Sequence, residues 1–281
     1  MEKQMYHILF TADQKYAVRI PVVIKSIHSL HPGVSFHIHL IGDDLSEELK
    51  YALEAFCLRY QYSFSYYNAP DALFRDSPVN RYYTKVMYFR MLAPVILPSS
   101  VERVLYLDPD ILVINSLLPL WEQDMSNYLF AAASHAMEEG IVDNINRLRL
   151  QTSSIYYNTG VLMINLVLCR QNTSPDQIFS FIEKNGHKLL LPDQDVFNAL
   201  YGDRTLQIPD EVWNYDARKY GQYYFRSNNL IDENWVIQHT AILHYCGKDK
   251  PWNAKYRYRF GSLYRHYAKL CEMDGWTIWP N

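Results

Sequence analysis

Val104-Leu105-Tyr106-Leu107-Asp108-Pro109-Asp110-Ile111-Leu112-Val113 is an apolar run, two acids around a proline, and a second apolar run. A short apolar segment bounded by turn formers reads as a buried strand, and Val104 to Leu107 therefore ends directly on Asp108. In open α/β sheets ligands bind beyond the carboxyl ends of the strands, which places Asp108 and Asp110 where chemistry is done. Pro109 fixes the φ between them, so both carboxylates can converge on one hard cation. The three residues are also good turn formers, and taken alone the tripeptide fits an ordinary turn as well.

Outward from this point, short runs rich in Val, Ile, Leu, Tyr and Phe alternate with segments of helical period, the βαβ pattern of a mostly parallel sheet flanked by helices. Toward the N-terminus, strands are expected at Tyr6 to Ala12, Ser35 to Gly42 and Tyr62 to Tyr66. Between them fall a helix from Val18 to Leu30 and another, started by a capping box of Asp44 and Glu47, running to about Arg59. Tyr83 to Leu92 has helical character and is expected to stop at Pro94. Toward the C-terminus, strands are expected at Leu129 to Ala133, Val161 to Ile164 and Ala241 to Tyr245, with helices at Pro175 to Asn185 and Gln194 to Leu200.

The chain of 281 residues suits one large domain, with hydrophobic residues at 49% and charged residues at 20% allowing a sizeable core. No linker marks a boundary before Pro251; we divide the chain into a main domain, 1–252, and a helical appendage, 253–281. The appendage is basic and aromatic: Lys248 to Lys269 holds seven Lys or Arg residues and one acid, Asp249. Such a surface can dock on anionic headgroups, or the tyrosines can pack inward and leave a solvated basic face.

A formal net charge of -3 offers no broad basic field, which argues against a nucleic-acid partner. Cys57, Cys169, Cys246 and Cys271 have no metal-ligand spacing and form no disulfide framework, which points to a reducing cytoplasm. The apolar start is too short for a secretory signal, and the longest uncharged stretch, Gln151 to Cys169, carries Asn158, Thr159 and Asn165, which lipid would not tolerate.

The ordered set of motifs resembles the family 8 glycosyltransferases, retaining enzymes of the GT-A nucleotide-diphospho-sugar transferase fold related to bacterial galactosyl- and glucosyltransferases and to glycogenin. The matching pieces are Phe10-Thr11-Ala12-Asp13 with Tyr16, Tyr88-Phe89-Arg90, the segment around Asp108 and Asp110, Tyr157-Asn158-Thr159-Gly160, Asp193-Gln194-Asp195, Trp213-Asn214, and His244-Tyr245-Cys246-Gly247 through Lys250-Pro251-Trp252. The resemblance implies that Asp108, Asp110 and His244 ligate Mn2+, with Mg2+ the other cation such a set accepts. It implies a UDP-sugar donor held by Thr11, Ala12, Asp13 and Tyr16 at the base and by Lys250 and the Gly247 backbone at the diphosphate. Arg90, Asn158, Asp193 and Gln194 would line the sugar, with Gln194 and Asp193 in the catalytic role.

The residues carry some of this unaided. A carboxylate at Asp13 can accept only from a protonated ring nitrogen, which favours uracil over cytosine. Arg90, among apolar neighbours, also reads as a buried ion-pair residue, and Asp193 also reads as a helix N-cap. The implied activity is transfer of galactose or glucose to a glycan or lipid-linked acceptor in cell-surface polysaccharide synthesis, at the inner face of the membrane if the C-terminus docks there. Two other classes were open: an inactive nucleotide-sugar-binding scaffold, and a sugar nucleotidyltransferase. The second needs a glycine-rich phosphate loop, and Thr11 to Lys15 contains no glycine.

Overall fold

A computed structural model describes residues 4–69, 85–135, 146, 148–150, 152 and 154–279. Strands β1 (Met5–Ala12), β2 (Ser35–Gly42), β3 (Ser63–Asn68), β4 (Arg103–Leu107), β6 (Phe130–Ala133), β7 (Val161–Asn165) and β8 (Thr205–Ile208) form one sheet in the order 3-2-1-4-7-6-8. Every pair in it is parallel except those of β7, which runs antiparallel to β4 and to β6. This is the mixed, mostly parallel sheet expected. A second sheet of β5 (Ile111–Val113), β10 (Ile242–His244) and β9 (Tyr215–Asp216) stands beyond the carboxyl end of β4.

The six helices of eight or more residues described are α1 (Ile20–Leu30), α2 (Glu47–Arg59), α3 (Phe89–Ile96), α4 (Pro175–Asn185), α5 (Pro192–Tyr201) and α6 (Gly261–Met273). Because side chains alternate across a strand, β1 sends Ile8 and Phe10 to one face and Leu9 to the other. The first face packs on α1, α2 and α6 through Val23, Ile27, Leu53, Tyr264 and Cys271; the second packs on α3, α4 and α5 through Leu92, Ile178 and Phe197. Each Val, Leu, Ile or Phe among them contributes about 1.5–3 kcal/mol on full burial. Strands buried on both faces read as nearly continuous apolar runs, which is why β1 and β4 show no clean alternation.

Several strand ends differ from expectation by one or two residues, and four helices differ at a boundary. The first crossover is split: a single turn, Gln14–Ala17, precedes α1, because Pro21 has no N–H and is tolerated only in a helix's first turn. Helix α2 is capped by Ser46, whose hydroxyl accepts from Leu49 N at 3.3 Å, while Asp44 sits at φ 53° in the preceding turn. Helix α3 continues through Pro94 to Ile96, with Leu97 N closing on Ala93 O at 2.9 Å. Tyr83, where that helix is expected to start, lies outside the described residues. Helix α5 begins at Pro192 with Leu191 as N-cap, so Asp193 falls in the first turn and is not the cap. Strands β8 and β9, at four and two residues, were not anticipated.

The segment after residue 252 is built into the first core face. Tyr256, Tyr264 and Trp276 are buried, Cys271 Sγ reaches Pro21 O at 3.4 Å, and Asp274 pairs with Lys25 at 2.6 Å. Lys255, Arg257, Arg265 and Lys269 are exposed. Among the described residues no helix is long and apolar enough to cross a membrane.

Candidate active site

Strand β4 delivers Asp108 and Asp110 to the carboxyl end of the main sheet, and β10 brings His244 back across them from the second sheet. His244 Nε2 lies 3.4 Å from Asp110 and 3.8 Å from Asp108, and one ligand atom from each of the three residues falls within 4.8 Å of the others. Their approach depends on Gly160. A Cβ built there would stand 2.2 Å from His244 Cε1 and 2.8 Å from Asp108 Oδ2, closer than atoms can approach. Gly160 also accepts the Asp108 N–H at 2.8 Å, so β7 holds the acid by its backbone and leaves room for the imidazole.

The imidazole is oriented from behind. His244 Nδ1 bonds Asn214 Oδ1 at 2.8 Å, and Asn214, itself fully buried, donates Nδ2 to Asn158 Oδ1 at 2.9 Å. Asn158 in turn donates to Gln194 Oε1 at 3.3 Å, so an unbroken chain of amides joins the imidazole to Gln194. A ring nitrogen fixed this way leaves the other aimed at the acids, the arrangement usual around metal-bound histidine.

Asp110 is buried, which alone would raise its pKa, but His244 and the Lys250 ammonium outweigh burial and hold it below the usual carboxylate range. Lys250 pairs with Asp110 Oδ2 and donates to Tyr245 O at 3.1 Å. For His244, burial opposes the charged ring, but Cys246 and Asp110 beside it raise its pKa well above the ordinary value. Two carboxylates and an imidazole crowded on one point fit a divalent cation, which would relieve the repulsion between the acids.

Arg90 is the buried ion-pair residue that its apolar neighbours suggested. It is buried, donates to Thr159 O at 2.7 Å, stands 3.2 Å from Asp108 and 3.5 Å from Asp193, and lies over the Tyr106 ring. Burial would lower its pKa, but Asp108, Tyr106 and Asp193 raise it. Burial also raises Asp193, against the pull of Arg90. Asp195 is held harder: Arg149 grips both oxygens at 2.7 Å, Tyr156 donates at 2.6 Å, and Leu190 N and Leu191 N donate at 2.6 and 3.1 Å. Asn198 then clamps α5 to the Tyr157 peptide by two hydrogen bonds of 2.6 and 2.9 Å.

A cavity of about 230 Å³ opens beside the acids, lined by Thr11, Ala12, Asp13, Tyr16, Val86, Met87, Arg90, Asp108, Asp110 and Lys250. One oxygen of Asp13 caps the turn Gln14–Ala17 by accepting from Tyr16 N at 2.9 Å. Tyr16 is partly buried, its ring 6.0 Å from that of Trp252. Thr11 Oγ1 meets Tyr106 Oη at 3.2 Å, and Tyr106 donates to Asp108. Gly247 has φ +84°, in the left-handed region that favours glycine. A larger cleft of about 630 Å³ lies at the amino end of β1, away from these acids. The predicted residues therefore gather in one region, with Asn214, Tyr106 and Thr159 supplying support that residue-by-residue reading did not assign. Residues 136–140 lie outside the described residues.

The sequence profile of "Glycosyl transferase family 8" matches residues 7–256. General stress protein A of Bacillus subtilis (strain 168) is 24% identical over 96% of this chain and 96% of its own length. A lipopolysaccharide 1,2-glucosyltransferase of Escherichia coli is 23% identical over 94% of this chain and 78% of its own. Among solved structures, galactosyltransferase LgtC in complex with donor and acceptor sugar analogs superposes with a TM-score of 0.78 at 24% identity, covering 96% of this chain and 100% of that one. That likeness extends to the arrangement of sheet and helices and to the C-terminal helix.

Proposed function

The chain belongs to glycosyl transferase family 8, and from that membership we propose that it transfers a hexose, galactose or glucose, from a UDP-sugar to a glycan or lipid-linked acceptor, with retention and with Mn2+. The observation that carries this reading is the convergence of Asp108, Asp110 and His244 beneath Gly160, beside a cavity that Asp13 and Tyr16 enter. Those three residues hold the cation; when bound, it neutralises charge on the departing diphosphate. Asp13 uses the oxygen not spent on Tyr16 N to accept from the uracil ring, Tyr16 stacks on the base, and Thr11 and Ala12 form the floor. Lys250 and the Gly247 N–H take the diphosphate. Arg90, Asn158 and Gln194 face the sugar.

Given the retention that the family membership suggests, the front-face route follows from the lack of a free carboxylate nucleophile. Neither Asp193, committed to Arg90, nor Asp195, saturated by Arg149, Tyr156 and two backbone N–H groups, is free to attack the anomeric carbon. We therefore assign a front-face transfer: the bond from the anomeric carbon to UDP breaks, the acceptor oxygen bonds to that carbon on the same face, and its proton passes to the leaving diphosphate oxygen. Gln194 and Asp193 steady the oxocarbenium-like state. Relatives named as lipopolysaccharide glucosyltransferases support an acceptor at the cell surface. The exposed Lys255, Arg257, Arg265 and Lys269 give the C-terminal segment a basic face toward an anionic bilayer, with most of its aromatic area turned inward.

A panel of nucleotide sugars assayed with Mn2+, with product anomers read by NMR, tests the reading. UDP-galactose or UDP-glucose turned over with retention is expected. Inverted product, or no turnover of any UDP-sugar, contradicts it, and a trapped glycosyl adduct on Asp193 or Asp195 refutes the front-face step.

A further inference from the structure

At the end of the main sheet away from the donor cavity stand three histidines that the transfer reaction does not use. His37 and His39 alternate along β2, and β2 pairs in parallel with β1 so that His7 lies opposite His37 and Leu9 opposite His39. The pleat puts all three imidazoles on one face. The His37 and His39 rings stack with centroids 4.1 Å apart, His7 Nδ1 and His39 Nε2 are hydrogen-bonded at 2.9 Å, and one nitrogen from each residue lies within 4.8 Å of the others. Tetrahedral zinc with Zn–N of about 2.0–2.1 Å sets its ligand atoms about 3.3 Å apart. Side-chain adjustments of well under 2 Å bring this set to that spacing.

Outer hydrogen bonds already select which nitrogens face inward. His39 Nδ1 bonds Tyr67 Oη at 3.0 Å and His37 Nε2 bonds Ser65 Oγ at 2.8 Å, which turns inward His37 Nδ1 and the hydrogen-bonded pair of His39 Nε2 and His7 Nδ1; a cation takes the place of the proton between that pair, which moves to the other nitrogen of its own ring. Among the described residues His37 Nδ1 makes no hydrogen bond. Burial lowers the pKa of all three rings, and burial with the neighbouring His37 and His7 brings His39 down to about 3. They are neutral at physiological pH, the form in which imidazole lone pairs bind metals without first losing a proton. His7 and His37 are only partly buried, and His7 lines the 630 Å³ cleft at the amino end of β1, so solvent reaches the cluster there.

We propose that His7, His37 and His39 bind one transition-metal cation of the imidazole-preferring kind, Zn2+ foremost, at a site separate from the acidic pair. Three nitrogen donors without a carboxylate disfavour Mn2+ and Mg2+ relative to Zn2+, the reverse of the preference of Asp108 and Asp110. His7 is four residues upstream of Thr11, roughly 13 Å along the strand, so this cation does not touch the donor. Its effect is to clip β1 to β2 and to stabilise the folded chain.

The test uses the full chain carrying Asp110→Asn, which silences the acidic site. Zn2+ titrated against a chromophoric chelator should bind at one per chain, with X-ray absorption showing nitrogen or oxygen neighbours only, and should raise Tm. Adding His37→Gln or His7→Gln should weaken binding at least about tenfold and remove the Tm shift, and Tyr67→Phe, which disturbs only the outer bond and keeps the core packed, should weaken it about tenfold. His37→Gln alone should leave Mn2+-dependent transfer unchanged. The proposal is overturned if Asp110→Asn binds no Zn2+ at micromolar concentration, if the histidine and Tyr67 variants bind it as tightly as their parent, or if a sulfur neighbour is seen, which would place the ion at Cys246.

Discussion

His244 Nδ1 meets the amide oxygen of Asn214 at 2.8 Å, deep in the protein where Asn214 is wholly shielded from water. Because Asn214 Nδ2 is spent on Asn158, its oxygen is the atom that faces the ring, and Nδ1 carries the proton. One asparagine thus sets which histidine nitrogen is offered to a cation. Asn214→Ala should reduce Mn2+ affinity by about 10–100-fold, measured by Mn2+ titration of UDP binding, with a smaller effect on UDP-sugar affinity at saturating Mn2+. Unchanged Mn2+ affinity in a folded variant would show that the tautomer is set some other way.

Gly160 makes a second prediction from geometry alone. In Gly160→Ala the added methyl would overlap His244 Cε1 and Asp108 Oδ2, so imidazole and carboxylate must separate. We expect a stability loss of about 1–3 kcal/mol and Mn2+-dependent transfer reduced at least about 100-fold. Near-normal turnover by the alanine variant would mean the three ligands need not approach as closely as they do.

Asp195 ties acid stability to the site. Burial raises its pKa, yet Arg149, Tyr156, Leu190 N and Leu191 N together hold it below the usual carboxylate range. A carboxyl depressed on folding stabilises fully above its unfolded pKa of about 3.9, and the contribution is lost as pH falls through the folded value. Asp195→Asn should therefore cost about 3 kcal/mol at pH 7, as loss of one partner of a buried ion pair does, and the cost should shrink below pH 4. Denaturation curves at pH 7 and pH 3.5 read both; equal destabilisation at the two would contradict the assignment.

The carboxylate of Asp13 is divided between the turn and the cavity. Asp13→Asn retains an oxygen for Tyr16 N but weakens acceptance from uracil, so KM for a UDP-sugar should rise about tenfold while kcat falls less. A variant with unchanged KM would remove Asp13 from the base contact.

Much of this fold was legible because local signals agreed. Strand β2 and helix α4 match expectation residue for residue; in α4 Ser174 and Gln177 make a reciprocal capping box with Pro175 in the first turn, each a signal readable from order alone. The acids were legible as well, since a strand exit and a proline define where Asp108 and Asp110 point. The reversal of β7 was not, because a run such as Val161 to Ile164 is equally apolar in either direction. Strands β8 and β9 are too short to establish a period. Asn214 carries no sign in its neighbours that it faces a histidine thirty residues on. His7 and His37 meet only through the register of β1 on β2, which sequence spacing does not reveal.

We propose that Asp108, Asp110 and His244 share one cation. It is tested most directly by Mn2+-dependent hexose transfer in the wild type, Asp108→Asn, Asp110→Asn and His244→Ala, each verified as folded. Wild-type activity should be abolished by EDTA and restored by Mn2+, with every variant lower by about 100-fold or more. A folded variant within tenfold of wild type, still dependent on Mn2+, would contradict it.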